Sequence, residues 1–568
     1  MSSNESILKE IFIDIFPDVD ESSFNWDKKQ NDYENWDSFA HLRIISEIEE
    51  KFTIQLDVED VIYINNASGF LKIIKNKTNW SMKSINEIID NSAGKNPSKS
   101  AVIFDDLTLS YDELLQRTNY LSNFIQDKTK PGKVVSLLYE NSPFFIISYF
   151  SILKSGCIAH IIPPAISDFN LKEQIKETNP EIILSSNNFK HKLNRIELIK
   201  EIFFIDNNSK FFKSNNDFYG NQFNETSSII FTSGTTSKPK GVKLSHKNVL
   251  TATNNIAKMI GLQSEDIEIN SLWLSHSFGL GCLHAIFLQG ATSIIFKNTI
   301  NLKEILKKGL SENATGFVGV PTTFYKILDS FDELFSSIFS IRYLLTNTAP
   351  MKKESILEIM RLFPKANFYT YYGLTEASRS TFLLFNKNKN KINSVGKPAP
   401  GIEIKILDDN GKNLSTNQIG EITIKGDNVI TNYWNNSKAD NSINYGWLKT
   451  GDVGYLDSDG FLYLKSRKDD MLNVGGEKFT PEEVELVIKE IPEILDVGVI
   501  GIPNEHFGQV PVAFIVTNNK ISSAYIIKQC NEKLERYKIP QKIIFLDNIP
   551  KTDSGKIQRN ILKSKFIQ

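Results

Sequence analysis

The sequence predicts a multidomain chain: a small all-α unit of four helices, then a large α/β domain. Three observations carry this. The length, 568 residues, suffices for roughly three to four domains of ~150 residues. Apolar residues recur at helical spacing near the start, at Ile7, Ile11 and Ile15, and again at Leu42, Ile44, Ile45, Ile48 and Phe52. From about residue 96 onward, β-prone apolar runs alternate with helical patterns, the rhythm of a mostly parallel sheet with helical crossovers.

Within residues 1–78, Asp37 or Ser38 is placed to cap the second helix, and Val58 to Val61 and Gly69 to Ile74 supply two more short helices. Residues 79–95 read as a linker and the start of the second part. Pro97 precedes a strand, Ala101 to Phe104, and the turn Asp105-Asp106. Ser110 and Glu113 then spell a capping box. Strands follow at Val134 to Tyr139, Ile158 to Ile162 and Ile182 to Leu184, with helices at 144–154 and 171–177 between them. The most apolar run, Phe144 to Leu153, is broken by Lys154 and Gly156 before it reaches the ~20 residues of a membrane span, so no integral membrane segment is expected. The Asn/Lys-rich pieces 207–217 and 386–393 read as exposed loops.

Composition excludes some functions. A net charge of -2 provides no field to draw nucleic acid. The three cysteines, Cys157, Cys282 and Cys530, are far apart and form no C-x-x-C pair, so neither a zinc site nor a disulfide framework is indicated. The polar start, Met1 to Ser6, lacks a signal-peptide pattern, and a reduced, cytoplasmic setting is expected.

The stretch from Ile229 to Gly241 holds the strongest chemical signal. An apolar strand ends in Thr232-Ser233-Gly234-Thr235-Thr236-Ser237-Lys238-Pro239-Lys240. Hydroxyls, small residues and lysines let backbone N–H groups and positive charge approach a phosphate chain. It is not a Walker A loop, and by composition alone a flexible Ser/Thr/Gly loop explains it as well.

Other motifs give it company: Tyr369 to Arg379 (Y-T-Y-Y-G-L-T-E-A-S-R), Gly446 to Gly454 (G-W-L-K-T-G-D-V-G), Tyr463 to Glu483, and Pro550 to Ile557 (P-K-T-D-S-G-K-I). Each alone reads as a turn or a cap. Together, in this order, they resemble the adenylate-forming superfamily of acyl- and aryl-CoA synthetases, peptide-synthetase adenylation domains and luciferases, over roughly residues 84–568. The resemblance implies a large adenylation domain at 96–468 and a small, mobile α+β domain at 469–568. It also implies ATP and Mg²⁺, with Thr232, Ser233, Gly234, Thr235, Thr236 and Lys240 on the β- and γ-phosphates and Tyr372 on adenine. Asp452 would take the ribose, with Arg467 beside it; Thr375 would touch the α-phosphate, Glu376 would hold the metal, and Lys556 would bridge the substrate carboxylate and the α-phosphate. Asp469 would be the hinge, or simply an exposed turn with Asp470, and Gly475 and Gly476 would leave room for a pantetheine thiol arm.

One segment departs from that pattern. In Leu345 to Pro350, Asn347 and Thr348 stand where smaller residues are usual. The acyl-pocket segment runs Trp273 to Gly281, with His276 and Phe278 expected to line it, although His276 also reads as a packed histidine. No Asp or Glu occurs between 269 and 303, so an ammonium would go unpaired and a non-amino acid is expected; the run His276-Ser277-Phe278-Gly279 resembles fatty- and aryl-acid ligases, which implies an acid of one of those kinds.

Residues 1–78 have a second reading beside a capped helical bundle. Trp36-Asp37-Ser38-Phe39-Ala40-His41-Leu42, followed by a helix carrying Glu47, Glu49 and Glu50, resembles acyl carrier proteins, with Phe39 in place of the usual Leu. That resemblance implies 4′-phosphopantetheine on Ser38, a phosphopantetheinyl transferase to install it and a downstream acyl-accepting enzyme. The expected function is thus an acyl–carrier-protein ligase fused to its carrier. An acyl-CoA ligase using free CoA and a non-catalytic nucleotide-binding scaffold are the alternatives.

Overall fold

The computed structural model describes all residues except 1–2, 21–22, 53–55, 57–60, 62–63, 79–81, 207–217, 233–238, 298–301, 330–339, 475–476, 505, 520, 552–556 and 568. The chain divides into two units, Met1–Lys83 and Ser84–Gln568.

The first unit is helical: α1 (Ser3–Ile15), α2 (Ser38–Phe52) and α3 (Ala67–Thr78). Its core is aromatic, with Phe12, Phe16, Tyr33, Trp36 and Phe70 packed against Ile44 and Ile48. Asp37 is the N-cap of α2: its Oδ1 accepts from the backbone N–H of Phe39 (2.9 Å) and Ala40 (2.8 Å). Ser38 is exposed at the first position of that helix. Leu42, expected on the core face, points to solvent (62% exposed), as does Phe39 (76%). The reason is helical phase: Leu42 is two residues from Ile44, about 200° around the axis from the face that Ile44 and Ile48 bury. Most of the helix expected at Val58 to Val61 lies outside the described residues.

In the second unit α4 (Glu87–Lys95) already buries Ile88 and Ile89, so the later part of the stretch expected as a linker is a packed helix. The Ser110–Glu113 capping box opens α5 (Tyr111–Lys128), and α6 (Pro143–Lys154) and α7 (Asp168–Thr178) follow at the expected places. Two sheets organise the large domain. The first has the order β6 (Ile202–Phe204), β5 (Ile182–Ser185), β3 (Val134–Leu138), β4 (Ile158–Ile162), β7 (Thr226–Thr232), β8 (Lys240–Ser245). It is parallel apart from the β7–β8 hairpin.

The second sheet has nine strands: β15 (Lys397–Pro398), β14 (Ala377–Leu384), β13 (Asn367–Leu374), β12 (Tyr343–Thr346), β11 (Gly316–Gly319), β9 (Ile267–Asn270), β10 (Thr292–Ile295), β1 (Ser100–Phe104) and β2 (Leu107–Ser110). Its interior pairs from β13 to β1 are parallel and its two ends antiparallel. Helices α8 (His246–Ile260) and α9 (Ser277–Leu288) pack together, and α8 lies on β14.

A five-stranded sheet follows, holding β16 (Glu403–Leu407), β17 (Gly420–Lys425), β18 (Ile443–Asn444), β19 (Trp447–Leu456) and β20 (Leu462–Arg467). The last hundred residues are α+β, as expected. A long hairpin, Ile494–Asn504 with Gly508–Thr517, packs on Pro481–Lys489 and Ser523–Lys533 around Val497, Val499, Ile515 and Ile526. Among the described residues no helix is long and apolar enough to cross a membrane.

Candidate active site

Loops at the C-terminal ends of parallel strands are where α/β sheets place their sites. Here the end of β13 turns tightly into β14. Leu374 pairs with Ala377, leaving Thr375 and Glu376 as a two-residue connection. Gly373 is required there, because a Cβ would run into the backbone N of Arg379. The β7–β8 hairpin closes nearby, with Thr232 opposite Lys240. Ser233, Gly234, Thr235 and Thr236 lie outside the described residues, as do Gly475, Gly476 and Lys556.

Three expected residues are directly bonded. The Tyr372 hydroxyl donates to Asp452 Oδ2 (2.6 Å), and Arg467 Nη1 lies 2.8 Å from Asp452 Oδ1. The register of β19 and β20 sets Asp452 opposite Arg467, so the ion pair is written into the sheet. Burial pushes the Tyr372 phenol well above its usual range, with the Asp452 charge acting in the same direction.

A second cluster holds Glu376. Its Oε1 accepts from the Tyr433 hydroxyl (3.2 Å), and its backbone carbonyl accepts from Ile430 N (3.0 Å). Burial raises the Glu376 carboxyl above the ordinary glutamate range, while Tyr433, Arg467 and Lys240 pull the other way. Lys240 Nζ stands 6.0 Å from the Tyr433 ring centre. Tyr433 was invisible as a site residue in the sequence; a bridge between Val242 and Tyr433 brings it here from a loop without a motif. Among the described residues no three or more His, Cys, Asp or Glu gather as a metal cluster.

Beside Thr375 lies a narrow, partly open cavity between α8, α9 and the strand ends. From α9 it is lined by Ser277, Leu280, Gly281 and His284. His276 and Phe278, the expected lining, are not among its wall residues. His276 is exposed at the helix start, and Phe278 packs edge-on against Tyr371 (5.4 Å, 81°). The reason is again helical phase, since Ser277, Gly281 and His284 share a stripe at i, i+4, i+7 that excludes positions 276 and 278.

The departure at Asn347-Thr348 is also visible: Thr348 adopts φ 89, unusual for a β-branched residue. Asp469 falls in the one-turn helix Lys468–Asp470, and its side chain lies outside the described set. On either side of the undescribed residues 552–556, Lys551 bridges to Ile557, and Lys551 pairs with Asp496 at 2.6 Å.

Comparison with known proteins agrees with this geometry. The profile described as "AMP-binding enzyme" matches residues 89–434, and "AMP-binding enzyme C-terminal domain" matches 483–556; the first unit lies outside both. The chain is similar to 2-succinylbenzoate–CoA ligase of Bacillus pumilus, 30% identical over 476 residues, covering 83% of this chain and 96% of that one. It is also similar to the solved structure of o-succinylbenzoate CoA synthetase from Bacillus subtilis with its acyl-adenylate intermediate, at 28% identity and TM-score 0.76, covering 84% of this chain and 97% of that one. The same synthetase with ATP and a magnesium ion matches at 28% identity and TM-score 0.76, covering 84% and 99%. With both profiles matched in order across two described sheets and their strand-end clusters, the chain belongs to the AMP-binding enzyme family and is an AMP-forming acid–thiol ligase.

Proposed function

We propose that the protein uses ATP and Mg²⁺ to join a non-amino carboxylic acid, fatty or aryl, to the thiol of free coenzyme A. First a carboxylate oxygen attacks the α-phosphorus of ATP, the bond to the bridging oxygen breaks, and pyrophosphate leaves. Then the thiol sulfur adds to the acyl carbonyl, AMP leaves, and the thiol proton passes to solvent. The observation that carries this reading is the Tyr372–Asp452–Arg467 cluster beside Glu376 and Lys240 at the strand ends. The relatives with acid–CoA ligase names support coenzyme A as the acceptor.

In this reading Thr232 to Thr236 and Lys240 receive the β- and γ-phosphates, Tyr372 contacts adenine and Asp452 takes the ribose hydroxyls, with Arg467 steadying it. Thr375 and Lys556 meet the α-phosphate. Glu376 would hold Mg²⁺, which would offset charge on the phosphates. A single carboxylate suits that ion, a hard cation that proteins commonly hold by one or two carboxylates together with substrate phosphates. Acid activation needs positioned charge more than a general base. The small domain turns at Asp469 to exchange Lys556 for the Gly475-Gly476 segment between steps. The three cysteines, all buried and unpaired, fit a reduced, cytoplasmic setting.

Asp452→Ala is expected to weaken nucleotide binding roughly 10- to 100-fold, the cost of losing a charge-assisted hydrogen bond. Titration calorimetry with a non-hydrolysable ATP analogue reads this, and unchanged affinity would remove Asp452 from the site.

One observation favours a second acceptor. With Asp37 capping α2, the exposed Ser38 hydroxyl is left free of that duty, and Phe39 and Leu42 are exposed beside it. A phosphopantetheine on Ser38 would supply a thiol in place of coenzyme A, with a phosphopantetheinyl transferase and a downstream acyl-accepting enzyme as partners. Intact mass after transferase treatment should then show one added arm on wild type and none on Ser38→Ala; an unmodified wild type ends this second reading. A hydroxamate-trapping acid screen, followed by acyl transfer to free coenzyme A compared with Ser38, tests the whole proposal. It fails if no acid is trapped.

A further inference from the structure

The cavity beside Thr375 has an unusual wall. Arg379 is 2% exposed, and among the described residues no Asp or Glu forms an ion pair with it. Its Nη1 donates to Ser378 Oγ (2.6 Å) and its Nη2 to the carbonyls of Ser277 (3.2 Å) and Phe278 (3.0 Å). The Cys282 thiol is close by, and the Tyr371 ring lies 5.3 Å beneath the guanidinium. Among the described residues the Nε–H has no hydrogen-bond partner. Gly281 makes room for this side chain, because a Cβ there would overlap the guanidinium.

Further polar atoms sit on the same wall. Among the described residues both ring nitrogens of His284 and Asn428 Oδ1 are buried without a hydrogen bond, and the buried Tyr149 hydroxyl and Ser228 Oγ face each other. His284 is stacked against Tyr149 (5.5 Å, 29°), and burial together with the Arg379 charge holds it neutral, its pKa lowered to about 3. The nearby buried acid, Glu268, keeps its proton at neutral pH, with its pKa raised to about 8 by burial. The guanidinium charge is therefore not cancelled locally. A wholly apolar acyl tail here would leave a buried cation and several donors unpaired, a large cost. Leu280, Ile230, Leu244 and Ala252 offer an apolar path for the acid's body.

We propose that the acid activated by this enzyme is a dicarboxylic acid, whose second carboxylate accepts from Arg379 Nε, with His284, Tyr149 and Ser228 completing its hydrogen bonds. The assignment rests on the acid–thiol ligase reading above and names the substrate class of that site.

The test is ATP–pyrophosphate exchange by the full chain on matched sets: aliphatic and aryl dicarboxylic acids, their half methyl esters, and monocarboxylic acids of equal length. Wild type is expected to show kcat/KM ~10²-fold higher for a dicarboxylic acid than for its half ester, because a site built to hydrogen-bond a group rejects analogues lacking it. In Arg379→Met that ratio should collapse toward one, mainly through KM. His284→Phe should reduce it by a smaller factor. Equal or better use of half esters or monoacids by wild type overturns the assignment while leaving the ligase reading intact. A ratio that survives Arg379→Met also overturns it. If Arg379→Met does not fold, the wild-type ratio and His284→Phe decide. Exchange with no acid at all overturns the ligase reading and this assignment together.

Discussion

Lys556→Ala is expected to lower ATP–pyrophosphate exchange by ~10²- to 10³-fold, the usual effect of removing one positioned donor from a charge-building transition state. As the carboxylate meets the α-phosphate, two anionic groups are forced together, and a cation between them is needed in that half-reaction. Thioester formation from pre-made acyl-adenylate is a different matter, since pyrophosphate has already gone. In the variant it should stay within a few-fold of wild type. Comparing the two half-reactions therefore separates a true adenylation residue from one that merely holds the small domain together. Equal losses in both, or no loss in exchange, would refute the role. The bridge between Lys551 and Ile557 and the Lys551–Asp496 pair hold the residues on either side of 552–556, so truncating the Lys556 side chain leaves these anchoring contacts in place.

The second large effect concerns stability. Glu268 on β9 is 1% exposed; its Oε2 accepts from the Tyr343 hydroxyl (2.8 Å) and its Oε1 has no hydrogen-bond partner among the described residues. Burial raises its pKa from 4.5 to about 8, against the opposing pull of Tyr343 and Arg379. Because the folded pKa lies above the unfolded one, the folded chain holds a proton that the unfolded chain has released across that window. The stabilisation is fully present below about pH 4.5 and is lost progressively as pH rises toward about 8. At ~1.4 kcal/mol per pH unit, the loss is on the order of a few kcal/mol. Glu268→Gln keeps the shape and removes the titration. Its denaturation midpoint should change less than that of wild type between pH 5 and pH 8, and should exceed wild type at pH 8. Parallel pH dependences would mean that Glu268 is ionised in the folded protein.

The same residue shows why part of the molecule was not legible in the sequence. Glu268 reads as an ordinary polar position in the short strand Ile267–Asn270. Its burial comes from strands β10 and β11 on either side and from Tyr343, 75 residues away. Tyr433 and His284 escaped for the same reason, as neither belongs to a motif. Arg379 did stand inside a quoted motif, but its meaning depends on the carbonyls of Ser277 and Phe278, about a hundred residues away. His276 and Phe278, expected at the acyl pocket, do not line the cavity beside Thr375: which stripe of α9 faces it depends on how that helix packs against its neighbours.

By itself the sequence determined the α/β architecture of the second unit, the capping box at Ser110 and the family to which the chain belongs. These follow from local chemistry: periodicity, turn residues and short motifs whose members are neighbours along the chain. Only the tertiary structure decided that Asp452 bonds Tyr372 and Arg467 together, that Leu42 faces solvent beside Ser38, and that a buried cation lines the cavity next to Thr375. Each of these depends on burial and on contacts between residues far apart in sequence, and it is burial that turns an ordinary side chain into a charge or a donor in need of a partner.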